Sequence, residues 1–249
     1  DISSEPCGLE DLDAGDWVIN CAAYTDVDGA ESDPETASAV NCEGARRVAE
    51  WCSGQGAPLI HISTDYVFDG SAGRPYREED PVCPINAYGR SKLGGEQAVL
   101  ASWRRSLVVR TQSLFGPGGK HFVGAIVKRL KDSDDPPRVV DEQVNCPTYT
   151  GHLAAALLNL TGTDHRGIVH VSAEGQCTWY EFARAIAARV KPGAGIEPVG
   201  ADAFPRPAAR PVYSVLDKSR YTAWTGKKMP PWQEGLDAYL AAAGQANSG

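Results

Sequence analysis

PLIHIS, residues 58–63, runs straight into Thr64 and Asp65 and is apolar almost throughout. A strand with one wet face alternates apolar and polar residues, whereas a near-continuous apolar run belongs to a strand covered on both faces of a parallel sheet. Two similar runs flank it, WVINCAA (17–23) upstream and SLVVRT (106–111) downstream. Between the first two, Asp33 and Pro34 read as an N-cap and first-turn pair, and Ala37, Val40, Ala45, Val48 and Cys52 recur at helical spacing. Tyr88 to about residue 101 reads as the helix that feeds the third strand. The order is therefore β-α-β-α-β.

Right-handed crossovers in that order place helices on both sides of the strands, so the expected fold class is α/β, a Rossmann-like doubly wound parallel sheet. After Ser113 the chain becomes richer in Gly and Pro and the alternation loosens. Short strands are expected at RVV (138–140) and GIVHVS (167–172), and helices near 121–131, 150–161, 179–190 and 232–243. Loops such as DSDDPP (132–137) and FPRPAARP (204–211) join them. The reading divides the chain into a Rossmann domain over 1–112, to which part of 139–170 returns, and a smaller C-terminal lobe made of 113–138 and 171–249.

Composition narrows the partners. The 249 residues carry 24 Lys plus Arg against 32 Asp plus Glu, a formal charge of -8, which argues against a broad basic face and hence against nucleic acid. No stretch approaches the roughly 18 apolar residues of a membrane span. The expected ligand is small, and an anionic one would be held by local arginines and helix amino-termini. Seven cysteines, at 7, 21, 42, 52, 83, 146 and 177, form no Cys-x-x-Cys pair and read as reduced thiols of a cytoplasmic protein. Five scattered histidines without HExxH spacing give no metal site.

The chemistry concentrates in Tyr88-Gly89-Arg90-Ser91-Lys92, preceded by Ser63-Thr64-Asp65 at the end of an expected strand. Tyr and Lys at i and i+4 share a helix face, where an ammonium is expected to lower the phenol's pKa and ready it for proton transfer. Ligands of doubly wound sheets gather beyond the carboxyl ends of the strands, so Thr64 and the Tyr88 helix can converge on one carbonyl. A lone YxxxK is common, and its plain reading is a surface tyrosine beside an unrelated lysine. The sequence of strand, hydroxyl and helix narrows that. Small residues at Ala22 and Ala23, with Tyr24, close the first strand and let a dinucleotide lie against the backbone.

These segments, NCAAYTDVDGAESDPETASAVN (20–41), IHISTDYVFDG (60–70), PINAYGRSKLGGEQAVL (84–100), VRT (109–111), DEQ and PTY within 141–149, and RPAARPVYSVLD (206–217), resemble the dTDP-4-dehydrorhamnose reductase family of the extended short-chain dehydrogenase/reductase superfamily. The resemblance implies that residues 1–112 bind NAD(P) and the second lobe the sugar, with Thr64, Tyr88 and Lys92 as the catalytic set. In it Tyr88 protonates the sugar O4, Thr64 hydrogen-bonds it, and Lys92 tunes Tyr88 and holds the nicotinamide ribose. It implies NADPH or NADH as hydride source and a dTDP-4-keto-6-deoxyhexose as partner. Asp1 and Ile2 would flank the adenine, with Ser63 also on the cofactor. Asp65, Tyr66, Asn86, Ser113 and Gln143 would line the substrate pocket; alternatively Asp65 caps the following turn and Tyr66 packs in the core. Arg206 and Arg210, in a proline-stiffened segment, would clamp the diphosphate, Arg210 foremost, unless both are simply surface arginines.

Thr64 is followed by Asp65-Tyr66 rather than the Asp-Glu pair a sugar 4,6-dehydratase needs, and a phenol cannot replace that carboxylic acid; ketone reduction is the simplest chemistry. Two alternatives stay open, a nucleotide-sugar epimerase and a non-catalytic subunit like the regulatory subunit of methionine adenosyltransferase. The glycine-rich phosphate turn of the fold is absent from the sequence, which opens where the family's third strand ends, so an initial βαβ unit is expected upstream of Asp1. Ser113 stands where the family usually has tryptophan, and Asn145 where it usually has glycine; both leave the sugar open between the rhamnose precursor and another dTDP-4-keto-6-deoxyhexose of the kind reduced in antibiotic glycosylation. The resemblance allows a homodimer.

Overall fold

The structure, a computed structural model, describes residue 2, residue 12 and residues 15–246, the side chains of 245 and 246 excepted. Asp1 and Cys7 lie outside the described residues. The chain begins with β1 (Val18–Asn20), α1 (Gly29–Ser32), α2 (Pro34–Ser38), a π-helical turn (Ala39–Gly44) and α3 (Ala45–Gln55). Next come β2 (Leu59–Thr64), a 3-10 turn (Asp65–Val67), α4 (Ala87–Ser102) and β3 (Ser106–Thr111). The second half adds β4 (Leu114–Phe115), α5 (Phe122–Asp132), β5 (Arg138–Val140), β6 (Val144–Asn145), β7 (Thr148–Tyr149), α6 (Thr150–Thr161) and β8 (Gly167–His170). It closes with β9 (Cys177–Thr178), α7 (Trp179–Val190), β10 (Glu197–Val199), α8 (Ser219–Thr225) and α9 (Trp232–Ala246).

The main sheet is parallel in the order β1-β2-β3-β8, with Leu59 to Thr64 in register against Ser106 to Thr111. Every residue of β3 is buried because helices cover both faces. On one face α3 and α4 bring Val48, Cys52 and Val99 against Leu59 and Val108. On the other, Leu153, Leu157 and Leu160 of α6 meet Ile60, Leu107 and Val109. A second core, around Phe115, Val123, Ile126, Phe182, Ile186 and Leu236, belongs to the smaller lobe. Three small two-stranded sheets, β10-β5, β4-β7 and β6-β9, complete the described strands.

Two particulars differ from the sequence reading. The stretch 171–249 does not belong wholly to the second lobe, since Tyr221 of α8 and Met229 pack under the main sheet with Leu160 and Val169. The helix expected from Asp33 is interrupted by the π-turn at Ala39–Gly44. There Asn41, 1% exposed, turns its carboxamide away from the helix, accepting from Tyr24 N (2.9 Å) and donating to Tyr24 O (3.0 Å) and Ser91 Oγ (2.9 Å). A π-turn admits one extra residue, and it frequently marks a functional site.

Helix α4 is seated by a close backbone approach at Gly95, where an added Cβ would lie 2.1 Å from Asn41 O. Alanine gains helix propensity of about 1 kcal/mol over glycine, but that overlap forces backbone to move. Gly95→Ala is therefore expected to lower stability by about 1–3 kcal/mol in urea unfolding. An unchanged or raised midpoint would show that the contact is slack.

Candidate functional site

The carboxyl ends of β1, β2 and β3 and the start of α4 bring the chemistry together. Asn86 caps α4 by accepting from Gly89 N (2.7 Å), which fixes the first turn and sets Tyr88 over the end of β2. Its amide also donates to Ala209 O (2.8 Å), and the residue is fully buried. Asn86 thus ties the 206–211 segment to the helix, with one N–H and one lone pair of its carboxamide engaged.

Thr64 donates to Asp65 Oδ1 (3.1 Å) and accepts from Tyr66 N (3.1 Å), and the Tyr88 phenol lies beside it. Thr64, not Asp65, therefore caps the turn. Tyr66 stands edge-on to Tyr88 with ring centroids 5.9 Å apart. The sequence leads one to expect Lys92 to lower the phenol's pKa. In the structure, burial pushes Tyr88 up, Thr64 offsets this in part, and the nearby Asp65 and Tyr66 push it further up. The Lys92 ammonium is instead held on Ile62 O (2.6 Å), and its own pKa is pulled down to about 8 by burial, with Glu96 opposing. The phenol is consequently a neutral, protonated group, suited to giving a proton to a developing alkoxide.

Ser63 was a natural candidate for the cofactor, yet its hydroxyl is committed to Glu96 Oε1 (2.6 Å) inside the molecule. Glu96 in turn forms a two-pronged pair with Arg110 (2.9 and 2.7 Å), both side chains 2% exposed. Nothing in the strand or helix periodicity announces this pair. Nor does it announce Asn41, although the five-residue step from Val40 to Ala45 in an otherwise three-and-four spacing is its trace.

A dinucleotide fits the remaining geometry. Cys21 and Ala22 are exposed at the end of β1, Ala23 and Tyr24 are half-buried beside them, and Asn41 fixes the Tyr24 backbone. Lys92, 2% exposed, has three N–H groups and one described hydrogen bond, leaving donors for a ribose diol close to Cys21. Ile2 packs on Gly44 and the α3 core. Asp1, expected at the adenine, lies outside the described residues. Among the described residues no cluster of His, Cys, Asp or Glu could hold a metal, and no helix is long and apolar enough to cross a membrane.

The substrate-side residues separate into two groups. Arg210 is pinned by Asp28 (2.6 and 2.9 Å), donates to Ala208 O (2.6 Å) and reaches Tyr66. Arg206, 58% exposed, has only a long pair with Asp28 at 3.8 Å. The arginine favoured from sequence is thus already engaged, and the other one is the freer fork. Ser113 is half-buried in the left-handed region (φ 48°) and accepts from Thr148 N (3.2 Å), a strained conformation for a non-glycine residue. Gln143 is half-buried at the entry to β6.

Asp65 is 3% exposed, and burial pushes its carboxyl up to about 7 against the pull of Ser214 and Thr64. A carboxyl whose folded pKa is raised stabilises below its unfolded pKa and loses that contribution as pH rises through about 7. Asp65→Asn is accordingly expected to be near neutral at pH 4 and to stabilise by roughly 2–4 kcal/mol at pH 9, read from urea midpoints across that range. A difference that does not grow with pH would mean the carboxylate is well solvated.

The family model described as RmlD substrate binding domain matches residues 9–244. A dTDP-4-dehydrorhamnose reductase from Mycolicibacterium smegmatis is 44% identical over 100% of this chain and 79% of its own length. A probable dTDP-4,6-dihydroxy-2-methyloxan-3-one 4-ketoreductase from Streptomyces antibioticus is 40% identical over 88% of this chain and 75% of its own. Among solved structures, the dTDP-4-dehydrorhamnose reductase of Bacillus anthracis in complex with NADP superposes with TM-score 0.87 at 38% identity, covering 91% of this chain and 80% of that one.

Proposed function

This chain belongs to the RmlD substrate binding domain family, the family of the dTDP-4-dehydrorhamnose reductases, and from that premise we propose that Tyr88 delivers the proton in its reaction. The activity is NAD(P)H-dependent reduction of the 4-keto group of a dTDP-linked 6-deoxyhexose. The observation that carries the assignment of Tyr88 is its place beside Thr64 at the end of β2, edge-on to Tyr66, with Lys92 one helical turn away.

The reduced nicotinamide, when bound, supplies the hydride. The ketone oxygen takes its place between the Thr64 and Tyr88 hydroxyls, which orient it and withdraw charge from it. Because burial keeps the Tyr88 phenol protonated, its O–H bond breaks only as the oxygen becomes an alkoxide, a far stronger base. Lys92 would hold the cofactor ribose through the donors that Ile62 leaves free, and solvent returns the proton that Tyr88 has given up. Ala22, Ala23 and Tyr24 would carry the dinucleotide backbone, on the face that Asn41 fixes.

For the diphosphate, Arg206 is the better placed cation, since Arg210 would have to give up Asp28. Arg206→Ala is expected to raise KM for the dTDP-sugar about tenfold with kcat nearly unchanged, the signature of uniform binding. A fall in kcat alone would assign Arg206 elsewhere. Free thiols at Cys21, Cys42, Cys52, Cys83, Cys146 and Cys177 favour a reducing compartment such as the cytoplasm.

The direct test follows nicotinamide absorbance with purified protein, NADPH and a dTDP-4-keto-6-deoxyhexose. One NADPH consumed per sugar reduced is the expected result. No turnover with any such sugar would refute the reading.

A further inference from the structure

Around Thr64 and the strand beside it several buried polar side chains have hydrogen-bonding capacity unspent. Nine buried side-chain polar atoms among the described residues lack a hydrogen-bond partner, and five of them belong to Asp65 (Oδ2), Thr111 (Oγ1), Gln112 (Nε2) and Asn145 (Oδ1 and Nδ2). These four residues are linked through strand register, chain neighbours and hydrogen bonds. Thr111 is the register partner of Thr64, one strand spacing away. Gln112 follows it and reaches across to the second lobe, accepting from Cys146 N (3.0 Å). Asn145 precedes Cys146, Ser214 N donates to Val144 O (3.0 Å), and the Ser214 hydroxyl sits beside Asp65, which Thr64 contacts. The links close a circuit that starts and ends at the residue holding the ketone.

Buried polar groups are almost always paired, so this many unpaired in one place call for a guest. Gln112 offers a donor, and Asn145 offers both a donor and an acceptor. A hydroxyl, itself donor and acceptor, satisfies such a set, whereas a methylene does not. With the C4 ketone at Thr64, the guest one strand spacing away is a group on the neighbouring part of the same ring. We propose that the carboxamides of Gln112 and Asn145 form a subsite for a ring hydroxyl at C2 or C3 of the hexose and so determine which 4-keto sugar is reduced. This rests on the 4-ketoreductase reading and refines it.

The test compares Gln112→Met and Asn145→Leu, which remove the carboxamide and keep a side chain of similar length, with the unaltered protein. The substrates are a dTDP-4-keto-6-deoxyhexose bearing hydroxyls at C2 and C3 and its 2-deoxy and 3-deoxy counterparts. Each variant is expected to lose about 10–100-fold in kcat/KM on the fully hydroxylated sugar and to leave one of the deoxy sugars unaffected; Tm holds or rises in Asn145→Leu, whose carboxamide is unpaired, and falls in Gln112→Met, which also strips Cys146 N of its acceptor. Equal losses on all three sugars would mean a structural role, and no loss on any would mean that these groups hold only water; either result overturns the proposal. Should the unaltered protein reduce none of the sugars, the 4-ketoreductase reading fails. Calorimetric binding of the corresponding dTDP-6-deoxyhexose against dTDP alone then decides the subsite: loss of the sugar's added affinity in the variants supports it, and its persistence overturns it.

Discussion

Tyr88→Phe is expected to lower kcat by about 10²–10⁴-fold, the range a positioned proton donor supplies, with little change in KM or in Tm. The ring makes the contacts that matter for folding: it packs with Tyr24 against Ala30, Ala37 and Ala87 and stands edge-on to Tyr66. Phenylalanine preserves all of these. Only the hydroxyl beside Thr64 is lost, and with it the proton for the alkoxide. Burial holds the phenol above its usual range, so the unaltered protein should keep its donor protonated throughout the neutral and moderately alkaline region. Single-turnover measurements separate the chemical step from product release. A variant retaining more than about a tenth of kcat would move the proton-donor role away from Tyr88.

The largest effect on stability is expected at Glu96. Glu96→Ala strands Arg110 in the interior, since both partners are 2% exposed, and it removes the acceptor of the Ser63 hydroxyl. Breaking a buried ion pair by deleting one partner costs about 3–5 kcal/mol, mostly the penalty of the charge left behind. The flanking groups cannot replace the carboxylate: Arg110 also lies over the Phe68 ring at 5.1 Å and 3.5 Å from His170 Nε2, and neither carries negative charge. A double variant, Glu96→Leu with Arg110→Met, is expected to recover much of the loss, because the desolvation of two charges disappears together. Urea unfolding of both variants makes the comparison; equal losses in single and double variants would show that packing, not charge, is at stake. Glu96 also raises the Lys92 pKa across one helical turn, so its removal should move that group below about 8 and shift the alkaline limb of the activity profile to lower pH.

Strand runs, a helix spacing and one motif made much of the fold legible. PLIHIS and SLVVRT read as doubly covered strands because neither has a polar face, and they are adjacent parallel strands at the centre of the sheet. Hydrophobic periodicity reports which residues must leave water, and it does so locally. It could not say that α8 returns to the main sheet, because Tyr221 is equally apolar against either core. Nor could it see that Ser63 donates to Glu96 and Asn86 to the Ala209 carbonyl.

The residues themselves determined the class of the fold, the alternation of its first strands and helices, and that Thr64 ends a strand while Tyr88 and Lys92 share one face of the helix after it, since each of these follows from spacing along a strand or around a helix. Tertiary structure alone decided how the charged and polar groups are disposed: a phenol raised rather than lowered, an arginine already taken by Asp28, and the Gln112 amide nitrogen and the whole Asn145 carboxamide left without partners. The reason is physical. Burial and hydrogen bonding are properties of what surrounds an atom, and at this site the surroundings come from chain segments as much as 182 positions apart.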